Sequence, residues 1–279
     1  VHAVPQLTIP PQINKMYIND LSPEKSVVKY QLDNGIQTFV ISWKNPSKEQ
    51  GVWGMTDYVR SCREAINAVS AITGSKTVNV SAGCSGGQTA AVLASQMAAD
   101  GEDPPAFDVL FWNADATNLS ASLMGDFLTL FETLAFTRKG EVEMAGHKID
   151  LSKVKSDLFI LGGVTDHITP WKATYRSTQL FGSKDVTYVL SQSGHMQAIL
   201  NPPGNPKAKY YIQKGKGALP PTAERWLKGT EEVAGSWWPF WIGWLQARSG
   251  AKKPAPAQMG DKAYPPLDPA PGTYVMEAC

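Results

Sequence analysis

Cysteine is scarce in this sequence, with three in 279 residues at Cys62, Cys84 and Cys279, an odd number with no close pair. That argues against a disulfide framework and fits a reducing compartment, so a cytoplasmic location is expected. Charge of one sign is missing as well: 26 basic residues stand against 25 acidic ones, and no run of five or six like charges occurs. Without a global field to attract a polyanion, nucleic acid is not an expected partner. Long apolar runs are also lacking. No stretch approaches the roughly 18 consecutive apolar residues of a spanning helix, and the opening VHAVPQLTIPPQ has no basic flank ahead of an apolar run. Neither a membrane span nor a secretory leader is therefore expected. Four histidines and three cysteines without H-E-x-x-H or C-x-x-C spacing argue against a metal site. Dinucleotide and phosphate-loop chemistry find no G-x-G-x-x-G and no G-K-[ST] loop, and no cofactor is expected.

What the chain has in quantity is apolar and aromatic surface. Hydrophobic residues make up 43% of it, enough for one large core, so residues 1–279 are read as a single domain. Of nine tryptophans, Trp226, Trp237, Trp238, Trp241 and Trp244 fall close together. Such a cluster needs a packing partner or an apolar ligand, and packing is the simpler expectation because an indole buries a large area.

Periodicity orders the elements. A short strand is expected at Gln6–Ile9, stopped by Pro10 and Pro11, then a loop. Ser22, Pro23 and Glu24 read as a helix start, with the helix ending near Asn34–Gly35, and a strand follows at Ile36–Trp43. Tyr58, Val59, Cys62, Ile66 and Val69 recur at helical steps within Met55–Ala71, and Gly74 should end that helix. Thr77–Ser81 reads as strand, 82–87 as a tight turn of small residues, and Gln88–Ala99 as helix. Further on, strand is expected at Phe107–Trp112, helix at Ala121–Phe136, strand at Leu158–Val164, helix at Trp171–Phe181, strand at Val186–Leu190 and a loop passing into a helix start over Ser191–Ala198. A Trp-rich helix is read at 237–247, and the proline-rich residues from about 250 as an extended tail. Strands alternating with helices predict an α/β fold with a mostly parallel sheet covered on both faces.

The strand–turn–helix order matters most at Ala82-Gly83-Cys84-Ser85-Gly86-Gly87. The nucleophile elbow of α/β-hydrolases is written G-x-S-x-G at such a turn, because the backbone bends too sharply for bulky neighbours. Here Cys takes the place of Ser, and Ala the place of the first Gly; a small-residue turn around a buried inert thiol is the bland alternative. The fold demands an acid after a later strand and a histidine after the last, and Asp166 and His195 occupy those places. Cysteine favours a thioester substrate, since thiol–thioester exchange is nearly isoenergetic. His195 would take the thiol proton and Asp166 would fix its tautomer or act on the incoming nucleophile. Oxyanion donors are expected from the backbone N–H of Ser85 and from one within Gln12–Asn14, with Ile13 taken as the second. Rivals stay open: His167 for the base, Ser85 for the nucleophile, Asp108 or Asp115 for the acid. His2 and His147 are expected at the surface.

The stretches PPQINKMYINDLSPEKS, GIQTFVISWKNP, AGCSGG, FDVLFWNADATNL, GVTDHITPW and SGHMQAILNPPGNP together resemble the catalytic domain of polyhydroxyalkanoate synthases, which polymerise (R)-3-hydroxyacyl-CoA into storage polyester. CSGG and NPPGNPKA are more similar to the synthases of medium-length acyl groups. The resemblance implies an α/β-hydrolase fold and a Cys84–His195–Asp166 triad carrying the polymer as a thioester on Cys84. It implies CoA and polyester as products, a homodimer, and a cytoplasmic place at the surface of polyester granules. A further N-terminal domain and an inserted cap are also implied; the abrupt join at 99–103 suggests that cap residues are missing there and that about 104–140 is its remnant. Competing readings are a thioesterase or dienelactone-type hydrolase with the same triad, and a non-catalytic granule scaffold.

Overall fold

The computed structural model of the chain describes residues 1–102, 107–109, 117–195, 197–215 and 217–276. Strand β1 (Gln6–Ile9) leads through a loop to helix α1 (Val27–Asp33) and strand β2 (Thr38–Val40). Helix α2 (Met55–Thr73), strand β3 (Asn79–Ala82), helix α3 (Ser85–Ala99), strand β4 (Phe107–Val109) and helix α4 (Ala121–Glu132) follow. A small hairpin, β5 (Glu143–Met144) and β6 (His147–Lys148), precedes strand β7 (Leu158–Gly163), helix α5 (Trp171–Ser177) and strand β8 (Val186–Ser191). Strand β9 (Lys209–Gln213), helix α6 (Ala223–Lys228), strand β10 (Thr230–Ala234) and helix α7 (Trp238–Gln246) complete the core.

One sheet runs in the order β2-β1-β3-β4-β7-β8-β9-β10. Every pairing from β2 to β8 is parallel, and β9 and β10 are added antiparallel. From β1 the chain steps outward to β2, returns across β1 to β3 and then builds in the other direction. The strand order therefore reverses between β1 and β3, and in open α/β sheets that crevice, at the carboxyl ends of the strands, is where ligands sit. This order and the sharp turn after β3 are those of an α/β-hydrolase fold.

Both faces of the sheet are covered, as the unbroken apolar run of β7 requires. Leu158 and Ile160 face a core shared with Tyr58, Val59 and Cys62 of α2 and Leu93 of α3. Phe159 and Leu161 face the other side, onto Trp237, Trp238, Trp241 and Leu245. The late tryptophans are thus packing residues, with Trp226, Trp237, Trp238 and Trp241 all fully buried. No helix among the described residues is long and apolar enough to cross a membrane.

Several boundaries differ from the sequence reading. Helix α1 is capped by Ser26 rather than Ser22: the Ser26 hydroxyl accepts the Lys29 N–H at 2.7 Å and donates to Asp20, leaving Pro23–Lys25 as a separate 3-10 turn. The expected eight-residue strand at Ile36–Trp43 pairs over only three residues. Helix α3 begins at Ser85, three residues early, directly on the turn. Helix α5 stops at Ser177, where the Thr178 hydroxyl bonds back to the Tyr175 carbonyl. Beyond Ser191, the last residue of β8, residues 192–195 and 197–198 form bends and turns, with no helix among them. His2 is buried rather than at the surface, because its ring bonds the Gly250 carbonyl where residue 2 bridges the returning tail at Lys252. His147 is half-buried, 3.8 Å from Asp100. Residues 110–116, with the end of the expected strand at Phe107–Trp112 and Asp115, and Cys279 lie outside the described residues, as does the side chain of Asp108.

Candidate active site

The turn after β3 places Cys84 at φ 53° and ψ −128°, a backbone conformation that costs a non-glycine residue energy and is held only where surroundings over-determine it. Those surroundings are specific. The Gly87 N–H donates to the Cys84 carbonyl at 2.9 Å, closing the first turn of α3 immediately behind the thiol. A Cβ on Gly86 would stand 2.5 Å from the Ile9 carbonyl oxygen and 2.7 Å from that of Pro10, so only glycine lets α3 start this close to the end of β1. Ala82, by contrast, is the last residue of β3 in ordinary extended pairing with Ile9, which is why alanine serves where the elbow pattern has its first glycine.

The loop after β1 is fastened to this elbow. The Gln12 N–H donates to the Ser85 hydroxyl at 3.1 Å and the Gln12 side chain to the Thr89 hydroxyl at 2.8 Å. Thr117 donates from its hydroxyl to the Gln12 carbonyl and from its backbone to the Ile13 carbonyl. Gln12 is thereby committed as a donor, while the Ile13 N–H takes no part in these bonds. Ser85 and Ile13 therefore lie on two segments held side by side at the crevice. Cys84 itself caps a fifteen-residue helix, whose N-terminal end favours negative charge on a group placed there.

Asp166 and His195 come from the loops after β7 and β8, and the structure brings them together. His195 Nδ1 lies 2.8 Å from Asp166 Oδ2, with only 5% and 4% of the two side chains exposed. A carboxylate can only accept, so Nδ1 carries the proton and Nε2 is the basic nitrogen of the neutral ring. Burial pushes the Asp166 carboxyl up, but the Thr169 backbone N–H, the Thr169 hydroxyl and His195 outweigh it and hold the carboxyl below its usual range. The Thr169 N–H is 2.8 Å from Oδ1 and its hydroxyl 2.7 Å from Oδ2, and the Ile168 N–H adds a third donor. The two loops are laced by backbone bonds from Val164 to Ser191 and from Thr165 to Ser193. A Cβ on Gly163 would lie 2.7 Å from the Ser193 carbonyl, so glycine is needed where the histidine loop crosses.

Cys84, Asp166 and His195 thus all stand at the carboxyl edge of the parallel strands, just after β3, β7 and β8. His167 points into solvent and has the wrong exposure for a base sheltered beside a carboxylate. Cys62 is fully buried in α2, and burial pushes its thiol far up, away from thiolate chemistry. Thr169 escaped the sequence reading, although Asp followed three residues later by Thr is a spacing that brings a hydroxyl back to a carboxylate. Beside the Asp166 loop lies a cavity of about 410 Å³ lined by Val164, Trp171, Leu190 and Tyr211 among others.

The chain is similar to several known proteins. Residues 1–31 match the family model described as the N-terminus of poly-beta-hydroxybutyrate polymerase (PhaC). Poly(3-hydroxyalkanoate) polymerase 2 of Ectopseudomonas oleovorans is 38% identical over 99% of this chain and 62% of its own length, and polymerase 1 of the same organism matches equally. The chain is a relative of the poly(3-hydroxyalkanoate) polymerases. The polymerase subunit PhaC of Cupriavidus necator is 30% identical over 99% of the chain and 60% of its own length. The chain spans about three-fifths of the length of these relatives. The match to the first extends over 349 positions against 279 residues here, so the relative carries interior residues that this chain lacks. Among solved structures, a monoacylglycerol lipase from Paleococcus ferrophilus is 12% identical with a TM-score of 0.46, covering 69% of this chain and 87% of the lipase.

Proposed function

We propose that this chain is the catalytic part of a polyhydroxyalkanoate synthase, an acyltransferase joining (R)-3-hydroxyacyl units from CoA thioesters through a cysteine-bound chain. The observation that carries the reading is the Cys84 elbow with the buried His195–Asp166 pair at the same edge of the sheet, in a chain 38% identical to polymerases over 99% of its length. His195 Nε2 takes the Cys84 proton as the sulfur attacks the thioester carbonyl. The carbonyl oxygen becomes negative and is met by the N–H of Ser85, with Ile13 as the second donor. Collapse expels CoA thiolate, which is protonated by the imidazolium, and leaves the acyl group on Cys84. The 3-hydroxyl of a second acyl unit then gives its proton to the site's base and attacks a thioester carbonyl, forming an ester and freeing a thiol. Asp166 orients His195 or helps deprotonate that hydroxyl.

The reaction needs no metal or organic cofactor, because the thioester supplies the activated acyl group. The CSGG and NPPGNPKA wording, with 38% identity to the Ectopseudomonas oleovorans enzymes against 30% to that of Cupriavidus necator, supports a preference for medium-length acyl groups. A homodimer in the cytoplasm, seated on the granule its own product forms, completes the proposal.

The test is to incubate the full-length protein with (R)-3-hydroxydecanoyl-CoA and with (R)-3-hydroxybutyryl-CoA, following CoA release and weighing the acyl product by mass spectrometry. Polyester or oligoester is expected, faster from the longer substrate. Free 3-hydroxy acid alone would make the protein a hydrolase, and no CoA release from either would remove it from acyl-transfer chemistry.

A further inference from the structure

The residue that acts as base in this reading sits on the least regular backbone of the site. After β8 ends at Ser191 the chain passes through bends and turns, with the Ala198 N–H bonded to the Gly194 carbonyl around His195. Among the described residues of that segment, none lies in a helix or strand. Instead, two consecutive carbonyls just beyond it are taken by two consecutive tryptophans: Trp237 Nε1 donates to the Ala198 carbonyl at 2.6 Å and Trp238 Nε1 to the Ile199 carbonyl at 2.8 Å.

Both indoles, and both carbonyl-bearing residues, are buried. The rings are themselves held. Trp237 packs 6.0 Å from Phe159, in the strand that delivers Asp166, and 5.6 Å from Trp241; Trp238 packs 5.2 Å from Tyr30 of α1. At the other side of the loop, Ala198 lies against Gly163, where an added Cβ would stand 3.1 Å from the alanine methyl. A rigid aromatic block thus grips the His195 loop from one side while the end of β7 meets it from the other.

We propose that Trp237 and Trp238 are positioning residues for His195, their indole N–H groups setting the height of the imidazole over the elbow. The inference rests on the assignment of His195 as the base. Trp241 supplies an internal control: it belongs to the same cluster, is as deeply buried as Trp237, and its indole N–H makes no hydrogen bond among the described residues. Replacing tryptophan by phenylalanine keeps an apolar ring and removes the N–H, so W237F and W238F delete the grip while W241F deletes only packing.

The experiment measures kcat and KM for acyl-CoA turnover, and separately the pH dependence of Cys84 alkylation by iodoacetamide, located by peptide mass, in wild type, W237F, W238F, W241F and H195Q. Expected for W237F and W238F is a fall in kcat of about tenfold with KM within about twofold, and an alkylation profile displaced toward that of H195Q. W241F should match wild type in both while losing a comparable amount of thermal stability. Equal losses in all three tryptophan variants, or a wild-type alkylation profile in W237F and W238F, would overturn the inference and reduce the pair to core packing. An H195Q protein with wild-type turnover and alkylation would instead sink the base assignment itself, a result the tryptophan variants alone cannot produce.

Discussion

Cys62 and Cys84 are separated by the second half of α2 and one strand, yet they occupy opposite kinds of ground. Cys62 is in the middle of α2, wholly buried in the apolar core and with its thiol stabilised against ionisation. Cys84 is half-buried at a left-handed backbone position, ahead of a helix N-terminus, on the sheet edge where a buried His–Asp pair waits. What separates them is the backbone beneath them, because an enclosed thiol behaves as a small apolar side chain and one held out on a bend is available to react.

The largest effect that would sharpen this contrast is loss of the Cys84 thiol. Cys84→Ala should lower CoA release by about 10⁴-fold or more with the melting temperature nearly unchanged, and His195→Gln should do comparable damage, because nucleophile and base fail as a unit. His167→Gln should stay within about twofold. Wild-type turnover in Cys84→Ala would end the distinction between the two cysteines.

Next comes the bend itself. Gly86→Ala forces a methyl into the Ile9 and Pro10 carbonyls, which are backbone and cannot swing away. A stability loss of about 3 kcal/mol in urea titration is expected, the upper end of overpacking costs, together with loss of turnover. A soluble Gly86→Ala protein of unchanged midpoint would show that the elbow is looser than drawn.

A smaller effect belongs to the carboxylate. Thr169→Ala removes a hydroxyl donor from Asp166 and should cost about 1.5 kcal/mol, the lower end for a bond to a charged group. The folded Asp166 carboxyl is held below its ordinary range of about 4. Its contribution to stability is therefore fully present above that range and is lost as pH falls through the lowered folded value. Melting curves from pH 7 down to 2 should show the wild-type advantage over Thr169→Ala at neutral pH shrinking at the acid end; an advantage that grows on acidification would contradict the bonding. Smallest of all in activity is Cys62→Ala, which should leave turnover unchanged while costing about 1 kcal/mol of stability from a buried cavity.

Much of this was legible in the residues, and the limits follow physical lines. Strand β7 announces itself as a compact apolar run, because a strand buried on both faces has no polar positions to blur it, and β1 is marked by the two prolines that end it. The elbow shows as a crowd of small residues, since its bend admits nothing larger. Strands β9 and β10 went unread: Lys209–Gln213 and Thr230–Ala234 are partly exposed near the sheet's edge, and the residues between them contain α6 rather than a tight turn that would mark a hairpin. Ser22 and Ser26 are both plausible caps by type, and only the fold, which brings Asp20 to the second, decides between them. The candidates Cys84, Asp166 and His195 could be picked out by chain order, whereas the lacing of Gln12 to Ser85 joins residues 73 apart and the tryptophan bonds join residues 39 apart. Neither separation has a period, so pattern reading has nothing to detect.

That last separation has a consequence for how the site comes into being. Ribosomal synthesis releases residues in order, at about 5–20 per second, and His195 is made before the two indoles that hold its loop. While residues 196–236 are being made, the chain already holds the proposed nucleophile, acid and base with the histidine loop not yet gripped. On the proposed roles, a chain that stops or is clipped ahead of Trp237 and Trp238 would carry every reacting side chain and still lack the grip that sets the histidine in place.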